Sequence, residues 1–306
     1  MKLAQLIHNP NAGAETYTPQ TLVALIESFG FKCIYTSSKK KNWKKFDTSA
    51  DFLIIGGGDG TVKKVADVLL SRRILDKQYK VALLPLGTAN NIGKTLKLSQ
   101  LSTEKIIQSW KKPAIVPIDA VQLSGLLNKE FFLEAFGFGI FPHLMNSITE
   151  KHKKAVGTPE EELQMALEML LEIVENYKPK ESRIFIDGKD YSGEYLMAEV
   201  MNIQSMGPNL VLNPKGLPGD GILETVLIAE KDRKKLVRYI KSLIKGKETP
   251  FPIKAIRGRQ ITMSWLGADA HADDEVIEYT KEQEVTLDVR NGILQFILPK
   301  RQSRKS

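Results

Sequence analysis

Asp51-Phe52-Leu53-Ile54-Ile55-Gly56-Gly57-Gly58-Asp59-Gly60-Thr61-Val62 is the stretch on which the fold turns. An apolar run rich in β-branched and aromatic residues stops abruptly at glycines. An amphipathic run follows, with Val62, Val65, Ala66, Val68, Leu69 and Leu70 at helical spacing. The pattern predicts a buried strand, a tight turn and a helix starting near Thr61. Glycines let the backbone approach a ligand without a Cβ clash. Their N–H groups, close to a helix N-terminus, suit an anion such as phosphate. Asp59 inside the turn would repel a bare phosphate, but suits one that carries a divalent cation. Its alternative role is an Asx-type turn former.

Two common phosphate motifs are excluded by spacing. A Gly-x-Gly-x-x-Gly fingerprint counted from Gly56 or Gly58 ends on Thr61 or Lys63. Between Gly87 and Gly93-Lys94-Thr95 lie five residues where the P-loop requires four.

Working outward, Leu3–His8 reads as a strand ending in the polar turn Asn9-Pro10-Asn11-Ala12-Gly13. Thr18 is placed to cap a helix that Pro19 opens and Gly30 follows. Phe31–Tyr35 is a second strand, and a basic connection leads to the strand ending at Gly56. Val81–Pro85 is another, running into Leu86-Gly87-Thr88-Ala89-Asn90-Asn91; Gln100–Trp110 reads as a helix. Alternating strands and helices imply a mostly parallel sheet, with ligands beyond the carboxyl ends of its strands. The turns at 9–13, 56–61 and 87–91 all lie at such ends. Past Pro113 the pattern changes. A hairpin is expected over 116–138 with its turn near Asn128, and a helix over Pro159–Tyr177. Short strands then recur at 183–186, 196–203, 222–228, 253–257, 260–265, 284–289 and 293–298. The expected organisation is an α/β N-terminal domain (1–118) with a mostly parallel sheet. A C-terminal, mainly antiparallel β-sandwich domain (119–306) with a few helices follows, its last residues free to pack back on the first domain.

The 306 residues exceed the size at which one core usually stops growing. A hydrophobic share of 42% and a charged share of 26% are ordinary for a globular protein. One cysteine, Cys33, rules out an intrachain disulfide and a cysteine-based metal site. No apolar run reaches about 18 residues, so no membrane-spanning helix is expected, and the N-terminal stretch reads as a strand rather than a signal peptide. The reading is a cytoplasmic protein. Lys and Arg number 44 against 36 Asp and Glu, a net charge of +8. The positive charge gathers at Lys39–Lys45, at Lys151–Lys154, along Lys231–Lys247 and in the tail from Lys300. Such clusters suit an anionic membrane surface or nucleic acid. No nucleic-acid motif accompanies them, and no nucleic-acid partner is expected.

The three turns together carry a resemblance. Asn9-Pro10-x-Ala12-Gly13, then Gly57-Gly58-Asp59-Gly60-Thr61, then Leu84-Pro85-Leu86-Gly87-Thr88-Ala89-Asn90 resemble the catalytic domain of diacylglycerol kinases, most closely the soluble bacterial lipid kinases. The middle turn alone is shared with NAD kinases and 6-phosphofructokinases; the third favours the lipid-kinase branch. Asn202, Gly207, Pro214 and Asp220-Gly221-Ile222-Leu223 resemble a segment of the family's second domain. Asp273-Asp274-Glu275 resembles its late Asp-Gly-Glu motif.

The resemblance implies an active site in a cleft between the two domains and an ATP- and Mg²⁺-dependent transfer of a γ-phosphoryl group to a hydroxyl of a diacylglycerol-like lipid. Asn9, Gly13, Thr36, Gly56, Gly57, Gly58, Asp59, Gly60, Thr61 and Thr88 would surround ATP. Asp59 would organise Mg²⁺, supported by Asp119. Asp273 would be the general base, with Glu275 assisting. Without the resemblance, Asp273 reads as a polar hairpin residue. Three positions depart from the pattern: Asn91 and Asp274 stand where the family has aspartate and glycine, and Lys215 where a carboxylate is expected before Asp220. The expectation is therefore that no structural metal sits near Asp220, the Lys215 ammonium pairing with it instead. The substrate would be met at an anionic bilayer, which the Asp232–Lys247 helix could engage through Leu236, Ile240, Leu243 and Ile244, or bury that face on its own domain. Phe136–Met145 could line an acyl pocket or belong to the core. A homodimer is compatible with the sequence. A small-molecule kinase of the NAD-kinase type and a non-catalytic nucleotide-binding regulator are the alternatives.

Overall fold

The structure, a computed structural model, describes residues 1–12, 17–73, 76–126, 129–148, 157–247 and 249–300. Gly13, the turn at Asn128, the Lys151–Lys154 cluster and the tail beyond Lys300 lie outside the described residues. The chain forms two compact units. One is Met1–Ile118 with the segment that begins at Gly292; the other is Asp119–Asn291.

The first unit runs β1 (Leu3–His8), α1 (Pro19–Ser28), β2 (Lys32–Ser37), β3 (Phe52–Gly57), α2 (Asp59–Leu70), β4 (Lys80–Pro85), α3 (Asn91–Thr95) and α4 (Thr103–Ser109). Every strand pair in its sheet is parallel, in the order β2-β1-β3-β4, with Gln295–Ile297 beside β4. The register sets His8 against Gly56 and Gly57 against Pro85. Such strands are buried on both faces, hence the continuous apolar run at Phe52–Ile55, all of it buried. Thr18 caps α1 through a 3.2 Å bond from the Thr21 amide, with Pro19 in the first turn. Phe31, Phe52 and Trp110 meet edge to face with centroids 5.8–5.9 Å apart, contacts worth about 0.5–1.5 kcal/mol each beyond their burial. From β1 the chain steps to β2 on one side, then returns to β3 on the other. A crevice therefore opens beyond the carboxyl ends of β1 and β3, the ligand position of open α/β sheets.

β5 (Ala114–Ser124) carries the chain into the second unit. There follow β6 (Phe131–Phe132), β7 (Ala135–Gly139), α5 (Ile140–Ser147), α6 (Pro159–Asn176), β8 (Lys180–Ile186), β9 (Lys189–Asp190), β10 (Gly193–Met201), β11 (Leu223–Ala229), α7 (Arg233–Ile244), β12 (Ile256–Gly258), β13 (Gln260–Trp265), β14 (Ala270–Ala272), β15 (Glu275–Val276) and β16 (Val285–Leu298). These strands pair antiparallel in the order β15-β14-β7-β10-β8-β13-β16, with β11 also paired to β10 and β12 paired to β11. A bulge between Tyr195 and Met197 lets β10 leave β8 and join β7. Alternation divides two cores. Phe136, Phe138, Ala198 and Val200 face one, with Trp265 and Leu287. Ala135, Leu196, Met197 and Val226 face the other, under α5, α6 and α7.

One expectation changes and two open alternatives are settled. The strands expected at 284–289 and 293–298 are one strand, β16. Its first half pairs antiparallel with β13 and its second half in parallel with β4, with Asn291-Gly292 inside the strand between the two; Gly292 takes φ +61°. The Phe136–Met145 segment supplies core: Phe136 and Phe138 on one side, Phe141 and Leu144 on the other, all buried. The apolar face of α7 is also core, with Leu236, Tyr239 and Ile240 buried beside α6.

Candidate active site

At the ends of β1 and β3 the backbone itself builds the site. The Asn9 amide bonds to the Gly56 carbonyl at 2.8 Å, and the Asn9 side chain accepts from the Asn11 amide at 3.3 Å. Gly58 is the N-cap of α2 and Asp59 its first residue; the Thr61 and Val62 amides donate to the Gly58 carbonyl at 2.9 and 3.1 Å, so the glycine turn runs directly into the first turn of the helix. Gly58, Asp59 and Gly60 are partly open to solvent, as is Thr36, whereas Gly56 and Gly57 are buried. Contact demands glycine at position 57 and leaves position 56 tight. A Cβ on Gly57 would lie 2.5 Å from the Thr61 hydroxyl oxygen, and one on Gly56 would lie 3.2 Å from the His8 ring. Thr61 is only 5% exposed and sits beneath Gly57, as a floor to the turn. Thr88 is exposed at the neighbouring loop.

That neighbouring loop is tied to the glycine turn. Asn90 occupies the left-handed region at φ +50°, which its short amide tolerates. It accepts from the Gly87 amide at 3.0 Å and donates to the Pro85 and Gly87 carbonyls. The Leu86 amide bonds to the Gly57 carbonyl at 3.1 Å. Asp59 completes the tie by accepting the amides of Asn91 and Ile92 at 2.8 and 3.0 Å. Its carboxylate therefore caps the start of α3 as well as standing in the turn. Asn91, where the family has aspartate, is buried, and its amide is one of those two donors. Beneath the turn His8 is buried, with Nδ1 3.5 Å from the Tyr35 hydroxyl; burial lowers its pKa and keeps it neutral. Composition alone gave no signal for His8, because its burial becomes visible only when β2 and β3 flank β1. Lys94 on α3 has its pKa lowered by burial, with Asp59 opposing.

In the second unit, Asp273 and Asp274 form the two-residue turn between β14 and β15, with Ala272 opposite Glu275. Asp273 adopts φ +54°; Asp274, at the family's glycine position, has no positive φ and so needs no glycine. The Asp273 carboxylate, in a residue 6% exposed, accepts the Leu133 and Glu134 amides at 3.0 and 2.8 Å. Its own amide donates to the Ala135 carbonyl at 2.8 Å. The Glu275 side chain is 59% exposed and lies 2.7 Å from the Lys129 ammonium. Behind the turn, His271 Nδ1 is 2.9 Å from the Asp273 carbonyl oxygen, and His271 Nε2 is 2.8 Å from Glu199. Neither residue was singled out from sequence, although a glutamate inside the apolar run Leu196–Met201 was the available signal.

Asp119 is fully buried. Its carboxylate accepts the Gly221 amide at 2.8 Å and its amide donates to Pro218 at 2.7 Å. Asn202 donates to the carbonyls of Asp119 and Leu133 at 3.1 and 2.8 Å. These contacts fasten the loop before β11. Asp220 pairs with Arg257 at 2.9 Å, and Arg257 also reaches Glu224 at 3.3 Å. The cation beside Asp220 is thus Arg257 and not the expected Lys215, which is exposed. β12 lies next to β11 and brings Arg257 opposite Glu224, a neighbour that sequence order does not reveal.

Comparison with known proteins agrees with this layout. The diacylglycerol kinase catalytic domain matches residues 4–123. The YegS C-terminal NAD kinase beta sandwich-like domain matches residues 145–297. The chain is 24% identical over 299 residues to a diacylglycerol kinase of Bacillus subtilis (strain 168), covering 94% of this chain and 86% of that one. It is 28% identical over 225 residues to a "Probable lipid kinase YegS-like" of Yersinia pestis (strain Pestoides F), covering 72% and 69%. A crystal structure of a diacylglycerol kinase from Bacillus anthracis str. Sterne superposes with a TM-score of 0.72 at 19% identity, covering 98% of this chain and 97% of that one. A second structure from that strain reaches 0.76 at 22% identity, covering 98% and 95%. The structures establish the fold: an N-terminal α/β domain with parallel strands and a C-terminal antiparallel β-sandwich domain. With both family domains matched in order along it, the chain belongs to the diacylglycerol kinase-like lipid kinases.

Proposed function

We propose that the protein transfers the γ-phosphoryl group of ATP to a hydroxyl of a diacylglycerol-like lipid, with Mg²⁺ accompanying the nucleotide. The observation that carries this reading is the turn Gly56–Thr61. It sets first-turn amides of α2 and one carboxylate, Asp59, at the crevice between the ends of β1 and β3. Phosphoryl transfer asks mainly for positioning and charge neutralisation. The amides at Gly58, Asp59 and Gly60 would hold phosphate oxygens, while Asn9, Thr36 and Thr88 border the same loops. Among the described residues no three His, Cys, Asp or Glu side chains converge on a metal position. Mg²⁺ usually keeps several waters and takes phosphate oxygens, needing one or two carboxylates from the protein; Asp59 fits that demand. When bound, the ion would neutralise phosphate charge. Asp119, being buried, would serve through the loop it fastens.

A base is required near the attacking hydroxyl, and the turn Asp273–Glu275 would supply it. Asp273 would be that base, its carboxylate oriented by the Leu133 and Glu134 amides, with the exposed Glu275 assisting. Substrate would be approached at an anionic bilayer. No described helix is long and apolar enough to cross a membrane. Because the apolar face of α7 is buried, contact there would be electrostatic, through exposed Lys234, Arg238 and Lys245.

The test is radiolabelled ATP with a panel of lipids, comparing wild type with Asp59→Ala, Asp273→Asn and Glu275→Gln. Label should enter a lipid in wild type and fall sharply in the first two variants. Label transfer untouched by all three would remove the roles assigned here. Phosphorylation of NAD without any lipid product would favour a small-molecule kinase, and ATP binding without turnover a non-catalytic nucleotide binder.

A further inference from the structure

Glu199, Gly137 and His271 form one row across three neighbouring strands. Glu199 on β10 stands opposite Gly137 on β7, and Gly137 stands opposite His271 on β14. Strands two apart in a sheet lie about 9–10 Å from each other. Side chains meet across that gap only when the middle position leaves room. Here it does: a Cβ on Gly137 would fall 2.1 Å from Glu199 Oε2. The carboxylate fills the space above the glycine, and its Oε1 reaches His271 Nε2 at 2.8 Å. Both residues have zero exposure.

The hydrogen bonds fix the proton count. The Asp273 carbonyl, 2.9 Å from Nδ1, can only accept, so Nδ1 carries a hydrogen. Nε2 and Glu199 Oε1 then share one further proton. Whichever atom holds it, the couple is neutral as a whole, the arrangement that a site without solvent tolerates. Burial pushes the Glu199 carboxyl up, with His271 opposing. On His271 burial acts downward, but the charge and hydrogen bond of Glu199 and the Asp273 carbonyl carry it up overall. Both directions keep the proton inside the couple near neutral pH. Phe141 closes the remaining side, edge-on to the His271 ring at 4.9 Å.

The far end of this relay is the Asp273 backbone, which holds φ +54°, a conformation few non-glycine residues adopt. We propose that Glu199 and His271 are positioning residues, which hold the Asp273–Glu275 turn in its reactive conformation through the His271 Nδ1–H bond to the Asp273 carbonyl. Neither touches substrate in this scheme. The proposal rests on the reading of that turn as the source of the base.

The experiment uses the full chain in five forms: wild type, Glu199→Gln, Glu199→Ala, His271→Ala and the double alanine variant. Each is first shown to be folded by its thermal transition. With ATP, Mg²⁺ and the lipid that wild type phosphorylates, both alanine variants should lower kcat by about tenfold to a hundredfold, the scale of a small misplacement of a catalytic group, with KM for ATP unchanged. Glu199→Gln, whose amide can donate to Nε2, should recover most of kcat. The double alanine variant should be no worse than either single one, because the pair acts as a unit. Nitrogen-15 NMR of wild type should show His271 with Nδ1 protonated and no titration between about pH 6 and pH 8. Folded alanine variants with wild-type kcat, or a His271 ring that titrates freely in that range, would overturn the proposal. Should wild type phosphorylate no lipid, the lipid-kinase reading fails on its own. The couple is then judged by the Asp273 and Glu275 amide resonances, which must move in Glu199→Ala and stay in Glu199→Gln; resonances unmoved in both would refute it.

Discussion

Gly58 and Gly87 meet backbone to backbone: a Cβ built on Gly87 would lie 2.4 Å from the Gly58 Cα, and one on Gly58 would lie 3.0 Å from the Gly87 Cα. Neither has a positive φ, so close approach and not turn conformation requires the glycines. Gly87→Ala should push the two loops apart. A loss of about 1–3 kcal/mol, typical of overpacking, is expected in denaturant melts, with ATP affinity falling in the same variant. Wild-type affinity in Gly87→Ala would mean that the loops do not set the nucleotide site.

Asp59 has two separable roles. Asp59→Ala removes the acceptor of the Asn91 and Ile92 amides, a loss comparable to deleting a helix cap, about 0.5–2 kcal/mol. Asp59→Asn keeps one acceptor oxygen and should stay closer to wild-type stability. Phosphoryl transfer should be lost in both variants if the charge matters. An active Asp59→Asn enzyme would show that the residue serves only as a cap.

Arg257 stands between Asp220 and Glu224. Burial is the main cause that raises the Glu224 carboxyl above its ordinary value, helped by Asp220 and opposed by Asn213 and Arg257. A raised carboxyl costs stability as pH climbs from its unfolded pKa through its folded one. Arg257→Ala enlarges that cost. The Arg257 side chain is 57% exposed, so the expected loss is modest, about 0.5–1 kcal/mol. It should be larger near neutral pH than in acid below the unfolded pKa. Chelation should leave the melting temperature of the nucleotide-free protein unchanged; a drop would indicate a metal that Arg257 does not replace.

Electrostatic docking through α7 gives a distinct signature. Binding to anionic vesicles should weaken steeply with added salt. Reversing Lys234, Arg238 and Lys245 to glutamate should weaken it by at least about 1 kcal/mol per site, with the fold intact because Leu236, Tyr239 and Ile240 are untouched. Equal binding to neutral and anionic vesicles would discard this route.

Cys33 offers a simple check on the first unit. Burial, with Glu27 adding, pushes its thiol up to about 12. Alkylation of the native protein at mild alkaline pH should therefore be much slower than in denaturant. Equal rates would mean that the edge strand β2 opens readily.

What the sequence disclosed was local. Strand, glycine turn and helix at 51–70 could be read because each depends on residues within one or two turns of one another. Asp273 as a hairpin residue was legible for the same reason, and the structure gives it that place. Partners far along the chain were not legible. Arg257 meets Asp220 across 37 positions and His271 meets Glu199 across 72; composition does not announce such meetings. The apolar stripe of α7 was ambiguous because periodicity shows that a face is buried but not what covers it. The continuity of β16 was missed because Asn291-Gly292 interrupts the apolar pattern, and only different partners on either side of it show a continuous strand.

Strand β16 also bears on how the molecule can be dissected. A fragment ending at residue 118 would lose the strand that pairs with β4 in its own sheet. β4, whose Val81–Leu84 are buried, would become a bare apolar border, the kind of surface that templates self-association. An N-terminal piece expressed by itself is therefore expected to precipitate, and a synthetic peptide carrying residues 292–300, added in trans, should restore it to solution.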